Sequence, residues 1–159
     1  MRIFLDSLNQ QHQLPEGTIV RWRISGYGVV INENDEILVV VPTWRSTYDL
    51  PGGGIEPSEK ISEGIIRECY EETGYKVKLD SDIPFYLSET DFYHTGHEKF
   101  YHSINMYYRV SLVSNYQDTS IINTIEIDEI EKVEWKKLVD LSLDNCHEMH
   151  LRALENLKN

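Results

Sequence analysis

The chain has 159 residues, 40% of them hydrophobic, and its 27 acidic and 15 basic side chains give a formal charge of −12. That length predicts one domain over residues 1–159. The acidic balance argues against nucleic acid as the main ligand, since phosphate-backbone contacts need clustered Lys and Arg. No apolar run approaches the roughly 20 residues that span a bilayer. Two cysteines without CxxC spacing exclude a disulfide framework.

The N-terminal part of the chain has few structural signals. No apolar signal core precedes the first acidic residue, Asp6, which predicts a cytoplasmic protein. Residues 1–17 show little pattern and end in a turn signal at Pro15 to Gly17. The β-branched and aromatic residues of 18–31 predict a strand. A second strand at 37–41 follows the turn residues 32–35, so we predict a hairpin.

The central part of the chain combines a glycine run with a helix. Residues 42–51 are predicted to form a loop that leads into Gly52, Gly53 and Gly54. Neither a helix nor a strand requires three glycines, but a backbone at positive φ or close to a ligand does. The pattern that follows predicts a helix over residues 60–73, with Gly74 as its C-terminal cap.

The remainder of the chain is predicted to be mainly strands. These lie at residues 76–79, 85–90, 100–113 and 131–136, with a polar loop at 115–123 and a closing helix at 144–157. Strands on both sides of a central helix, with a second helix at the end, predict an α/β fold of the α+β kind. In it, a mixed sheet lies between helices.

Three carboxylates share one face of the predicted central helix. Glu68, Glu71 and Glu72 are spaced i, i+3, i+4, whereas Ile65 and Cys69 lie on a different, apolar face. Like charges at this spacing repel each other and stand near the unfavourable C-terminal end of the helix dipole. Mg²⁺ accepts carboxylates and substrate phosphates together. The alternative is an ordinary solvated acidic face.

The spacing around these glutamates is more specific than the glutamates themselves. From Gly53 the chain reads Gly, five residues, Glu59, seven residues, Arg67-Glu68-Cys69, one residue, Glu71-Glu72, one residue, Gly74-Tyr75. This resembles the Nudix box, the 23-residue signature of the Nudix hydrolase superfamily, at all seven of its fixed polar and glycine positions. The Leu50-Pro-Gly-Gly lead-in, Glu56 and Glu129 before Trp135 also look like the family.

The resemblance implies a fold, a reaction and a metal site. The fold is a Nudix-type α/β/α sandwich. The reaction is Mg²⁺- or Mn²⁺-dependent hydrolysis of a phosphoanhydride bond in a nucleoside diphosphate linked to another group. By the family's pattern, Glu68, Glu71, Glu72 and the carbonyl of Gly52 bind the cations. A cation would also reconcile an acidic protein with an anionic substrate.

The same pattern implies roles for the other positions of the box. Arg67 is expected to pair with Glu59 or another carboxylate of the box and to hold the array in place. Gly53, Glu59 and Gly74 are structural positions. For the general base we predict Glu68 first and Glu129 second, the latter as base or extra metal ligand. A polar loop around Glu129 is the competing interpretation.

The substrate is less well indicated than the reaction. Trp44, Arg45 and Tyr48 precede the glycines and are candidates to stack on a base or bind a phosphate, or simply to cover the sheet edge. Tyr93 lies 18 residues beyond Tyr75, a spacing that the family associates with dinucleoside polyphosphates.

The segment that follows contains further candidate cationic residues. His94, with His97 and Lys99, is a candidate to line a substrate loop. The irregular spacing of these histidines makes a zinc site the weaker interpretation.

Two other functions are compatible with this scaffold. An isopentenyl diphosphate isomerase-like enzyme would depart from the full box and need a catalytic cysteine elsewhere. A catalytically inactive nucleotide-ligand sensor would lose box carboxylates, and this chain retains them. We therefore expect a small-molecule nucleoside diphosphate derivative as ligand, with neither nucleic acid nor membrane as partner. Because family members are often dimers, a homodimer is possible.

Overall fold

The computed structural model describes residues 2–43, 45–122 and 130–158. Within these ranges the strands and helices follow one another in this order: β1 (Ile3–Leu5), β2 (Gln11–Gln13), β3 (Val20–Val29), β4 (Glu36–Pro42), β5 (Gly52–Gly54), α1 (Ile61–Thr73), β6 (Tyr75–Leu79), β7 (Tyr86–His94), β8 (Lys99–Gln117), β9 (Ile130–Lys137) and α2 (Glu148–Glu155). None of the described helices is long and apolar enough to cross a membrane.

The main sheet is mixed. Its strand order is β2-β1-β7-β8-β3-β5, and β6 pairs with the far end of β8. The pairs β1–β7 and β3–β8 are parallel, while the other pairs in this sheet are antiparallel. Strands β4 and β9 form a separate antiparallel ribbon. The predicted α+β architecture with a mixed sheet is confirmed.

The two helices pack on opposite faces of the main sheet. On β8, Tyr107 belongs to the core cluster that contains Ala153 and Leu154 of α2. Its neighbour Met106 belongs to the cluster that contains Ile65 and Cys69 of α1. Because successive side chains of a strand point to opposite faces, the clusters lie on the two sides of the sheet. The helices therefore sandwich it.

Helix α1 packs closely on β3 because β3 carries glycines where they meet. A Cβ on Gly26 would lie 2.7 Å from Ile65 Cγ1, and one on Gly28 would lie 2.7 Å from Cys69 Sγ. Ile65 and Cys69 are fully buried in this contact. The carboxylates on the same helix are thus held at a short distance from the sheet.

The predicted hairpin of residues 18–41 is wrong in its pairing. Strand β3 uses its two edges for β8 and β5, so no edge is left for β4, which pairs with β9 instead. Only an isolated bridge between Ile31 and Ile37 joins the two predicted strands within the described residues.

Other predicted boundaries also needed correction. The glycines after the predicted loop, for which no strand was predicted, form the short strand β5, and residues 115–117 extend β8 into the predicted polar loop. Helix α2 begins at Glu148 rather than 144, because residues 142–146 form a turn closed by the Cys146 amide donating to the Ser142 carbonyl (2.8 Å). The weakly patterned N-terminus contains the β1–β2 hairpin.

Candidate active site

Helix α1 is defined at both ends by local interactions. The Lys60 amide donates to Glu63 Oε2 (2.8 Å) at the N-terminus. At the other end Gly74 has φ 73°, and its amide donates to the Tyr70 carbonyl (2.8 Å). These contacts satisfy backbone groups that a helix end otherwise leaves unpaired. The predicted C-cap is confirmed, and the register of the carboxylate face is fixed.

Arg67 is the centre of a carboxylate network. Its Nε and Nη2 donate to the two oxygens of Glu59, at 3.0 and 2.7 Å. Its Nη1 donates to Glu68 Oε1 (3.0 Å) and Glu71 Oε2 (3.1 Å). Hydrogen bonds from Arg67, and secondly from the Glu56 amide, lower the pKa of Glu59 to about 2. The predicted pairing of Arg67 with Glu59 is confirmed, and the guanidinium also joins two of the candidate metal ligands.

The glycine strand β5 lies directly against this helix face. Glu72 Oε2 accepts the Gly52 amide at 2.9 Å. Gly52 has φ 144°, and a Cβ there would lie 2.2 Å from the Gly26 carbonyl oxygen. A Cβ on Gly53 would lie 3.3 Å from Glu68 Oε1. Only glycine fits at position 52, and the bare backbone lets the carboxylates come close.

These groups open onto a cavity of about 130 Å³. Glu68, Glu72 and the three glycines of β5 line it on the side of α1. Two arginines line it as well, Arg23 from β3 and Arg45 from the segment before β5. A cavity with carboxylates and arginines together has groups for a cation and for an anion.

The donor set suits a hard divalent cation. Among the described residues, no three His, Cys, Asp or Glu side chains are grouped as ligands of one metal ion. Glu68 and Glu71 each accept a hydrogen bond from Arg67, and Glu72 accepts one from the Gly52 amide. Nevertheless Glu68 and Glu71 oxygens lie within 3.1 Å of the same nitrogen. The carboxylates are therefore adjacent, and they are the oxygen ligands that Mg²⁺ prefers.

A buried polar chain supports Arg45. The guanidinium pairs with Asp49 Oδ2, and His150 Nε2 lies 2.9 Å from Asp49 Oδ1. The other ring nitrogen of His150 lies 3.2 Å from the Tyr107 hydroxyl. Burial, and secondly the charge of Arg45, lower the pKa of His150 to about 3. The ring is therefore neutral, donating from Nε2 to the carboxylate and accepting the Tyr107 proton at Nδ1.

Several lining residues were missed at the level of sequence. On β3 and β8, Ser25 pairs with Asn105 and Arg23 with Ser103, and all four line the cavity. Ser25, Ser103 and Asn105 are almost fully buried. The sequence does carry a signal for these residues, since polar residues stand at every second position in these parts of β3 and β8. That spacing places their side chains on one face of the sheet.

The predicted substrate residues separate into two groups. Arg45 and His94 line the cavity, whereas Tyr48 and Tyr93 are outside the lining formed by the described residues. Tyr93 packs on the rings of His12 (4.3 Å) and Phe100 (4.6 Å), because it alternates with the inward-facing His94. Lys136 Nζ lies over the Tyr48 ring at 5.2 Å. Trp44 and Glu129 lie outside the described residues.

The fold and the sequence both relate the chain to known proteins. A solved NUDIX hydrolase from Nitrosomonas europaea matches 87% of this chain and 89% of its own, with a TM-score of 0.67 and 17% identity, so the two share a fold. A family model described as NUDIX domain matches residues 22–157. This chain therefore belongs to the NUDIX family.

Two relatives illustrate the range within the family. A Bacillus subtilis (strain 168) protein, named provisionally as an 8-oxo-dGTP diphosphatase, is 44% identical over 62 residues, which are 36% of this chain and 39% of that protein. Human diphosphoinositol polyphosphate phosphohydrolase 3-alpha is 28% identical over 128 residues, which are 79% of this chain and 70% of that protein. The match thus spans about two fifths of the first relative and most of the second.

Proposed function

We propose that this chain is a divalent-cation-dependent pyrophosphohydrolase that cleaves a phosphoanhydride bond in a nucleoside diphosphate linked to another group. One observation carries the proposal: Glu68 and Glu72 of the box line the same cavity as Arg23 and Arg45. Carboxylates that bind cations and arginines that bind phosphate are the two requirements of phosphoryl transfer, which depends on positioning and charge neutralisation.

Glu68, Glu71, Glu72 and the Gly52 carbonyl would hold Mg²⁺ or Mn²⁺. When bound, the cation supplies neutralisation of the diphosphate and polarisation of the phosphorus. Arg67 keeps the carboxylates together through its contacts with Glu59, Glu68 and Glu71. It thus acts by positioning.

Water is the proposed nucleophile. Its oxygen attacks phosphorus and its proton passes to a carboxylate oxygen of Glu68, while the bond to the bridging oxygen breaks and a second phosphate leaves. Glu129 is the second candidate for this base. The arginines Arg23 and Arg45, with His94, are proposed to bind the anionic part of the substrate.

The relatives' names support the reaction more than any one substrate. One names a nucleotide diphosphatase and the other a hydrolase of diphosphoinositol polyphosphates. Both names describe hydrolysis of a compound that contains linked phosphates. We therefore propose a diphosphate-containing small molecule, and the nucleoside is the finer part of the proposal. A cytoplasmic location and a homodimer stay predictions.

The isomerase-like alternative is weakened by the cysteines. Cys69 and Cys146 are both buried, and burial raises the pKa of each thiol. A catalytic thiol needs an accessible, readily ionised sulfur. Neither cysteine lines the cavity formed by the described residues. The structure thus offers no cysteine suited to that chemistry in this part of the chain.

The decisive experiment is a hydrolysis screen with Mg²⁺ and with Mn²⁺. The panel contains ATP, 8-oxo-dGTP, ADP-ribose, UDP-glucose, diadenosine tetraphosphate, coenzyme A and a diphosphoinositol phosphate. The products are separated by chromatography, and the amounts of phosphate and nucleotide released are measured. Metal-dependent cleavage of one or more compounds is expected. Binding of a panel member without turnover, with either metal, would favour the sensor instead.

A further inference from the structure

The N-terminal hairpin lies before the family match, yet it is built into the main sheet. The NUDIX match begins at residue 22, whereas the hairpin formed by β1 and β2 ends at Gln13. Strand β1 pairs with β7 through Leu5 and Phe92. Phe4 is fully buried, with its ring 5.0 Å from Phe100. An edge hairpin packed in this way is part of the folded core.

The turn between β1 and β2 is internally fixed. Asp6 is 2% exposed, and its Oδ1 accepts the amides of Leu8 (2.8 Å) and Gln10 (3.0 Å). Its Oδ2 lies 2.8 Å from His12 Nε2. Asn9 has φ 60°, a conformation that Asn tolerates better than most residues. The turn therefore presents the Asn9 side chain in a defined direction.

Asn9 connects this turn to the start of α2 across the fold. Its Nδ2 donates to the carbonyls of Leu143 (3.1 Å) and Cys146 (3.3 Å). Its Oδ1 accepts the amide of Glu148, the first residue of α2, at 3.0 Å. The Asn9 side chain thus pairs with three backbone groups in and just before the start of α2. These hydrogen bonds join the hairpin turn to that part of the chain.

The same turn forms part of the cavity. Ser7 lines it and is 6% exposed. The Ser7 carbonyl accepts a long hydrogen bond from Arg45 Nη1 (3.4 Å). Arg45 is therefore held by the hairpin on one side and by Asp49 on the other.

We propose that Asn9 is a positioning residue: by fastening the hairpin turn to α2, it places the Ser7 carbonyl and, through it, Arg45 in the substrate cavity. This inference rests on the proposed function, since it assigns Arg45 to substrate binding. If the turn were loosened, the carboxylate site on α1 would stay in place. Arg45 would then bind the anionic part of the substrate more weakly. The chain's own N-terminal extension thus becomes a determinant of substrate affinity.

The test is steady-state kinetics of Asn9→Gly with the panel substrate that the wild-type protein cleaves fastest. Glycine keeps the positive φ and removes the side chain. The KM is expected to rise about tenfold, the range of one lost hydrogen bond to a charged group, with kcat within about twofold of wild type. Asn9→Asp, which faces the two carbonyls with a carboxylate, is expected to change KM in the same direction. Asp35→Gly is the matched control, because Asp35 also has positive φ (57°) and lies in an exposed turn.

A double-mutant cycle separates positioning from general stability. In an Arg45→Gln background, Asn9→Gly is expected to change KM less than about twofold, because the group it positions is gone. The inference is overturned if Asn9→Gly lowers the melting temperature without changing KM, or raises KM equally in both backgrounds. If the wild-type protein cleaves nothing in the panel, the proposed function fails and the inference with it. Wild-type cleavage with unchanged variants refutes the inference alone.

Discussion

Arg67 contacts three carboxylates of the box at once, and this explains how adjacent acids coexist on one helix. Without a counter-charge, glutamates at i and i+3 or i+4 repel each other. The guanidinium gives Glu59 two parallel hydrogen bonds and shares its third nitrogen between Glu68 and Glu71. The planar fork of arginine suits this, whereas a lysine ammonium could not repeat it.

Glu59→Gln should make stability less dependent on pH. The folded-state pKa of Glu59, about 2, lies below the unfolded value of about 4.3. Its contribution is therefore fully present above about pH 4.3 and is lost as the pH falls through about 2. We expect the free energy of unfolding of the wild-type protein to exceed that of the variant by about 1–3 kcal/mol at pH 7. This difference should become smaller from pH 4 to pH 3. Urea unfolding measures it.

Glu33→Gln is the control for that comparison. Glu33 lies in an exposed turn between β3 and β4. Its removal should leave the pH profile close to that of the wild-type protein. If the difference in unfolding free energy between the wild-type protein and Glu59→Gln stays constant from pH 7 to pH 2, the ion-pair explanation is contradicted.

Glu72→Gln should separate folding from chemistry. Glutamine can still accept the Gly52 amide, so the melting temperature should change little. It cannot supply a full negative charge to a cation, so kcat should fall about 100-fold or more. Glu63→Gln is the matched control, because Glu63 is exposed on the same helix and Gln also serves in a capping box. Equal turnover of Glu72→Gln and wild type on every panel substrate would refute the metal assignment.

At the scale of elements, the contact between α1 and β3 sets the position of the site. Gly26 and Gly28 leave no room for a Cβ against the buried side chains of α1. On the other side, β5 pairs antiparallel with β3 and carries Gly52, whose amide donates to Glu72, and Gly53, where a Cβ would lie 3.3 Å from Glu68 Oε1. One strand thus brings the helix and the glycine backbone together.

Gly28→Ala should destabilise the protein, although alanine is the better strand residue. The added methyl would overlap Cys69 Sγ at 2.7 Å, and overpacking of this kind costs about 1–3 kcal/mol. In the Cys69→Ala background the cost should be smaller by about 1 kcal/mol, because the sulfur is gone. Denaturant unfolding of both single variants and the double variant measures this. Strict additivity would show that the contact does not limit the approach of α1.

At the scale of the whole molecule, net charge and the cavity must be reconciled. The chain carries a formal charge of −12, yet its proposed substrate is an anion. Arg23 and Arg45 give the cavity a local positive side, and cations held by the box glutamates would supply the rest. The binding of metal should therefore be measurable without any substrate.

Millimolar Mg²⁺ or Mn²⁺ should raise the melting temperature. At ten times the dissociation constant the gain is about 1.4 kcal/mol, which corresponds to about 3–6 °C for a protein of this size. The Glu68→Gln/Glu72→Gln double variant should lose this shift. NaCl at equal ionic strength controls for screening of the net charge. An equal shift in both proteins would show that the cations act on the surface charge and not at the box.

Local chemistry determined much of this protein. The helix over 60–73, its Gly74 cap, its carboxylate face and most strands follow from residue type and short-range spacing, because a helix and its i, i+4 neighbours are encoded within a few residues. The Arg67–Glu59 pair was implied by the resemblance to the family. The box lies within one continuous stretch, so the resemblance to the family, and the roles it implies, could be recognised in the sequence. Strand existence was predictable for the same reason.

Partners in space were decided only by the tertiary structure. Period-two patterning shows that a strand exists but not which edge it meets, so the β3–β4 hairpin was mispredicted and the pairing of β3 with β8 was not foreseen. Ser7 and His150 lie far apart along the chain, and both line the cavity only because the sheet brings β1 beside β7 and α2 packs on that face. Contacts between residues so far apart in sequence depend on how the strands and helices are arranged in space, and local sequence patterns do not specify that arrangement.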